Sequence, residues 1–166
     1  MKEYTEAEML HKAAAYCTGS ERCIQEVANK ISQGGLSAEA SQRIIDRLVQ
    51  EKFIDERRYS LSFVSDKLRF NKWGRIKIGY ELQRKQISQT IRQEALDSID
   101  DTLYRSILFD LLKNKKRTTK GKDERDLFNK LLRFAAGRGF ESQETITCLK
   151  RLFNENDYDD YDGLME

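Results

Sequence analysis

One pattern recurs three times along the chain and limits what it can fold into. With Leu36, Ile87 and Phe140 taken as equivalent pivots, the copies lie 51 and 53 residues apart. Nine residues upstream of the pivots stand Val27, Ile78 and Leu131, and five upstream stand Ile31, Leu82 and Ala135. Nine downstream stand Ile45, Leu96 and Leu149, and twelve downstream Leu48, Ile99 and Leu152. Steps of three and four residues mark one face of an α-helix, so each copy reads as helices meeting at a turn. Polar residues that suit a helix start, Ser37, Ser88 and Glu141, follow the pivots. A leading helix before each pair, at about 5–17, 55–71 and 100–115, completes three tandem three-helix units. A helix triplet buries little apolar surface alone, so neighbours are expected to stack into an elongated, curved body.

Composition agrees with an all-α fold. The 166 residues include no Pro and only nine Gly, a thin supply of turn residues for a sheet sandwich. The expected units are 1–54, 55–99 and 100–154, followed by an acidic tail, 155–166. Within them, helices are predicted over 20–33, from Ser37, from Asp55 (with Tyr59, Leu61, Phe63, Val64 and Leu68 as apolar members), from Gly74, Ser88, Asp100 and Asp123. The polar stretch 113–122, KNKKRTTKGK, reads as the one obvious internal loop, a solvated linker.

Several function classes drop out. No apolar run approaches the ~20 residues of a membrane span. The first residues, MKEYTEAEMLHKAAAYC, carry acids where a signal peptide needs an apolar core, so a cytoplasmic protein is expected. Cys17, Cys23 and Cys148 lack CxxC spacing and read as reduced structural thiols. With His11 they make a poor zinc set, and a catalytic triad would have to use that single His. Asp100 is better placed as a helix cap than in acid–base chemistry, and Tyr59 as core than as a nucleophile. No catalytic residue, metal or cofactor is expected.

Charge is unevenly spread. The formal net charge is +2, yet the tail holds six acids and no base, leaving +8 on residues 1–154. Between Arg43 and Arg92 lie thirteen bases and six acids. Such a basic middle suits a polyanion or an acidic protein surface. The candidate basic surface is Lys67, Arg69, Lys72, Arg75, Lys77, Arg84 and Lys85. Phe70 and Trp73 interleave with it, either as stacking groups for nucleic acid or as core residues at a helix junction. The tail has few apolar groups to offset the entropy of ordering, and is expected to be disordered.

Four segments carry a family resemblance. Arg22-Cys23-x-x-Glu26-Val27, Phe53-Ile54-Asp55-Glu56-x-x-Tyr59, Lys72-Trp73-Gly74-x-x-Lys77-Ile78-x-x-Glu81-Leu82-x-x-Lys85-x-Ile87 and Gly137-Arg138-Gly139-Phe140 resemble, in order, the motifs of the RecX family. Lys52 and Gln86 stand where that family commonly has glycine, Arg75 where it often has proline, Ser60 where it has alanine and Gly137 where it has arginine. The resemblance implies tandem three-helix repeats and a regulator, not an enzyme, that binds the RecA–DNA filament and lowers its recombinase and ATPase activity. Its implied partners are the RecA filament and single- or double-stranded DNA, engaged by a monomer. The competing reading is an autonomous DNA-binding protein with helix-turn-helix-like readers. A net charge of +2 and a pI near 8.4 are a weak footprint for that mode.

Overall fold

Helix starts are set by short polar side chains. The computed structural model describes residues 3–162, with side chains through 154. Its helices, in chain order, are α1 (Glu6–Gly19), α2 (Ile24–Ile31), α3 (Ala38–Gln50), α4 (Glu56–Arg69), α5 (Arg75–Arg84), α6 (Gln89–Asp97), α7 (Asp101–Thr118), α8 (Glu124–Gly137) and α9 (Ser142–Asp162). No strand occurs among the described residues. Thr5 Oγ1 accepts the Glu8 N–H at 3.1 Å, Ser37 Oγ that of Ala40 at 3.1 Å and Asp55 Oδ1 that of Arg58 at 3.1 Å. Ser88, Asp100 and Asp123 do the same for α6, α7 and α8 at 3.3, 2.9 and 2.8 Å. Each satisfies a donor that the helix itself leaves without a partner.

The chain divides into two compact units, Met1–Phe63 with Glu81–Ala95, and Val64–Tyr80 with Leu96–Glu166. The first has a core of Met9, Ala13, Val27, Ile31, Ile44, Ile45, Leu48 and Ile54. In the second, α9 packs on α7 and α8, burying Leu108, Leu112, Leu131, Ala135, Leu149 and Leu152. Among the repeated positions, Val27, Ile78 and Leu131 are fully buried, as are Ile31, Leu82 and Ala135. Leu36, Leu96 and Ile99 are half-buried.

Backbone geometry repeats with the pattern. The residue before each pivot is left-handed, with φ of 73° at Gly35, 60° at Gln86 and 90° at Gly139. In the second and third copies the pivot N–H returns to the carbonyl five residues back, Ile87 to Leu82 at 3.2 Å and Phe140 to Ala135 at 3.0 Å. This is the Schellman closure that glycine favours. Lys52 is also left-handed, at φ 63°. Two of the places where the chain departs from the family pattern are thus places whose geometry asks for glycine.

Three expectations need correction. The helix predicted over 20–33 begins at Ile24, because Ser20 is extended and the Cys23 N–H donates to the Glu26 carboxylate at 3.2 Å, opening the helix there. Six of the ten residues of the linker 113–122 are helix, since α7 runs to Thr118. Lys and Arg are good helix formers and suit the negative end of a helix, and no breaker occurs before Gly121. Leu61 is 49% exposed and lies outside the apolar stripe of α4. The backbone of α9 stays helical through 155–162. The expected disorder of the tail 155–166 concerns residues whose side chains, or whose placement altogether, lie outside the described ones.

Candidate partner interface on α4 and α5

The segment 70–74 joins α4 to α5. The Trp73 N–H donates back to the Lys67 carbonyl at 3.1 Å, and Lys72 takes a left-handed φ of 56°. This turn brings the half-buried Trp73 ring close to two ammonium groups, with Lys67 Nζ 4.9 Å and Lys77 Nζ 4.6 Å from its centroid. Cation–π contacts of this kind contribute ~0.5–1 kcal/mol at exposed sites and fix where the charges stand. Lys72 Nζ donates to the Arg69 carbonyl, and Arg69 Nε to Ser65 Oγ at 3.2 Å. Phe70 is no core residue, being 78% exposed. Ile76 and Tyr80, one turn apart on α5, are 61% and 60% exposed on the side opposite the buried Ile78 and Leu82. The sequence itself carries the signal for Ile76 and Tyr80, two large apolar residues off the Ile78–Leu82 stripe.

Arg75 does different work. Its guanidinium binds Asp101 at 2.7 Å and Glu141 at 3.0 Å and lies 3.9 Å from the centre of the Tyr104 ring. The Tyr104 hydroxyl accepts the Arg75 N–H at 3.1 Å and donates to Glu141. Burial, together with the Glu141 carboxylate, pushes that phenol above its ordinary range. The Gly74 N–H donates to the Arg138 carbonyl at 2.9 Å and the Ile76 N–H to that of Gly139 at 3.0 Å. The start of α5 therefore spends its free donors on the turn 138–139 and on α7. The Lys-Trp-Gly and Arg-Gly-Phe motifs meet here, each serving as the other's socket.

The first unit builds the same joint. The Glu56 carboxylate accepts the Ile24 N–H at 3.2 Å, and the buried Tyr59 phenol faces Glu26 and Cys23. Glu56 and Asp101 each lie one residue after a capping Asp, and Tyr59 and Tyr104 four after it. Each leading helix thus closes the start of the second helix in the copy before it. Arg84 and Lys85 also belong to the first unit, apart from the other five expected bases. Arg84 pairs with Glu81 at 3.4 Å. Burial works to raise the Glu26 carboxyl, but the Cys23 N–H and thiol and the Lys85 charge hold it below its ordinary value. Among the described residues no three His, Cys, Asp or Glu gather as metal ligands, and no helix is long and apolar enough to cross a membrane.

Residues 55–96 match the second three-helix domain of RecX. A protein of Chlorobium phaeobacteroides named regulatory protein RecX is 32% identical over 129 residues, covering 78% of this chain and 83% of its own. Regulatory protein RecX of Clostridium tetani is 28% identical over 130 residues, and that of Clostridium perfringens 29% over 136. The chain spans only 59% and 63% of the length of these two clostridial relatives. The crystal structure of RecX from Lactobacillus salivarius superposes with a TM-score of 0.78 at 21% identity, covering 89% of this chain and 96% of that one. A second, the crystal structure of a regulatory protein RecX, gives 0.76 at 19% identity, with 87% and 73% covered. At those identities the two structures speak for the fold alone. The motifs, their meeting at Gly74 and Gly139, and the 32% relative aligned over most of both chains establish the kinship: this chain is a member of the RecX family of regulatory proteins.

Proposed function

We propose that this protein binds the RecA–DNA filament and inhibits its recombinase and ATPase activity, with the α4–α5 segment against the recombinase. The observation that carries the reading is the set of three exposed apolar side chains, Phe70, Ile76 and Tyr80, among the bases Lys67, Arg69, Lys72 and Lys77. Large apolar groups left in water are what a protein partner covers, and each contributes ~1.5–3 kcal/mol when fully buried. Aromatic anchors with charged groups around them are the usual make-up of a protein–protein hot spot. Kinship with RecX supports RecA as the partner. Three modules, 1–54, 55–99 and 100–154, let weak contacts multiply by linkage along a polymeric target. A single copy acting in the cytoplasm suffices, and the reading needs no chemistry from the protein's own residues. The rival reading, an autonomous DNA-binding protein that reads DNA through these α4–α5 bases, is disfavoured because Arg75 and Arg84 are already paired with carboxylates of the same chain.

Co-sedimentation with RecA filaments preformed on single-stranded DNA tests this. The protein is expected to pellet with filaments, and Phe70→Ser with Tyr80→Ser to weaken that binding about tenfold or more at an unchanged melting temperature. Equal pelleting of this folded variant would remove the surface from the proposal.

A further inference from the structure

We infer that the end of α7 and the α7–α8 loop form a second surface, one that takes the phosphate backbone of nucleic acid directly and without the recombinase. Lys113, Lys115, Lys116, Arg117, Lys120 and Lys122 lie within ten residues that contain no acid. Elsewhere Arg43, Arg47, Arg57, Arg58, Arg75, Arg84 and Arg105 are each paired with a carboxylate. Among the described residues, none of these six is in an ion pair; Lys115 and Lys116 lie over the Phe134 and Phe153 rings, at 4.9 and 4.3 Å. Six bases close together in the chain thus stand without a carboxylate partner among the described residues.

The bases also stand on a fixed frame. Four of them ride on α7 itself, which places Lys113 and Arg117 one turn apart on one face. The Thr119 hydroxyl donates to the Lys115 carbonyl at 2.7 Å, closing the helix end. Beyond it, Lys130 Nζ donates to the Lys120 carbonyl at 2.7 Å, and the Lys122 N–H to Asp126 Oδ2 at 2.9 Å. Gly121 sits so close to α8 that a Cβ would come within 2.7 Å of the Leu127 nitrogen. A loop pinned in this way loses little entropy on binding. The class of partner follows from what the surface lacks. All five large exposed apolar residues among those described, Val49, Leu61, Phe70, Ile76 and Tyr80, lie elsewhere. A protein partner needs such anchors, whereas sequence-independent phosphate contact needs only charge.

The test is fluorescence anisotropy of the full chain with a labelled single-stranded oligonucleotide of mixed sequence, without RecA, over a series of salt concentrations. The protein is expected to bind at low salt. The variant Lys113→Gln, Arg117→Gln, Lys120→Gln and Lys122→Gln should lower the slope of log affinity against log salt by about 3, at ~0.7 per phosphate contact on a single strand. The loop-only pair, Lys120→Gln with Lys122→Gln, perturbs no helix and should lower the slope by about half as much. Replacing the three lysines Lys113, Lys120 and Lys122 by Arg should leave it unchanged. No binding by the unaltered protein, or an unchanged slope in both Gln variants, overturns the inference. So does a Gln variant that keeps oligonucleotide affinity while losing the RecA filament, because the cluster would then meet an acidic protein surface. Loss of oligonucleotide binding on replacing Lys67, Lys72 and Lys77 by Gln instead would assign nucleic acid to α4–α5 and also overturn it.

Discussion

Gly74 faces Gly139 with no side chain between them. A Cβ on Gly74 would lie 2.4 Å from the Gly139 carbonyl carbon and 2.5 Å from Phe140 Cα, both of them backbone atoms that cannot step aside. Gly74→Ala is therefore expected to cost about 3 kcal/mol, at the upper end of overpacking penalties, read from urea melts. The opposite exchange should help at Gln86 and Lys52, whose φ of 60° and 63° strain any side chain. Gln86→Gly and Lys52→Gly are each expected to gain about 0.5–1 kcal/mol, the relief of strain exceeding the extra freedom of the unfolded chain. The letters of these motifs were legible in the sequence; their contact was not, because residues so far apart in the chain show no periodicity that links them. The same holds for Arg75, whose partners Asp101 and Glu141 stand 26 and 66 residues further along the chain.

At the scale of the element, the caps at Thr5, Ser37, Ser88, Asp100 and Asp123 could be read from local chemistry because a cap and its helix are neighbours in sequence. The start of α2 was legible only in part: its Cys23–Glu26 contact is local, but Glu56, which accepts the Ile24 N–H, comes from another helix. Two carboxyl groups that serve this start are shifted in opposite directions. The Glu26 carboxyl is held below its ordinary 4.5 in the native state. Its ionised form contributes stability that is present above that value and lost as pH falls through the lower native one. Glu56 is raised, chiefly by burial, so its charge costs stability at neutral pH and acidification removes that cost. Thermal melts at pH 7 and below 4.5 should show this. Glu26→Gln is expected to lower the neutral melting temperature and Glu56→Gln to raise it, with both differences shrinking in acid. The length of α7 misled for a related reason: a run of Lys and Arg looks like a solvated loop unless its helix propensity is weighed.

Across the whole molecule the threefold pattern foretold the helices and much of the core, since burial follows the pattern that repetition exposes. It did not foretell the proposed partner face, because exposed Phe70, Ile76 and Tyr80 carry no period of their own. The central claim is that this RecX chain restrains RecA through that face. The most direct measurement is the rate of ATP hydrolysis by RecA on single-stranded DNA as the protein is titrated in. The account predicts that the rate falls with added protein, and that the folded variant Phe70→Ser with Tyr80→Ser needs about tenfold or more to reach the same inhibition. An ATPase rate that stays the same at saturating protein would contradict it.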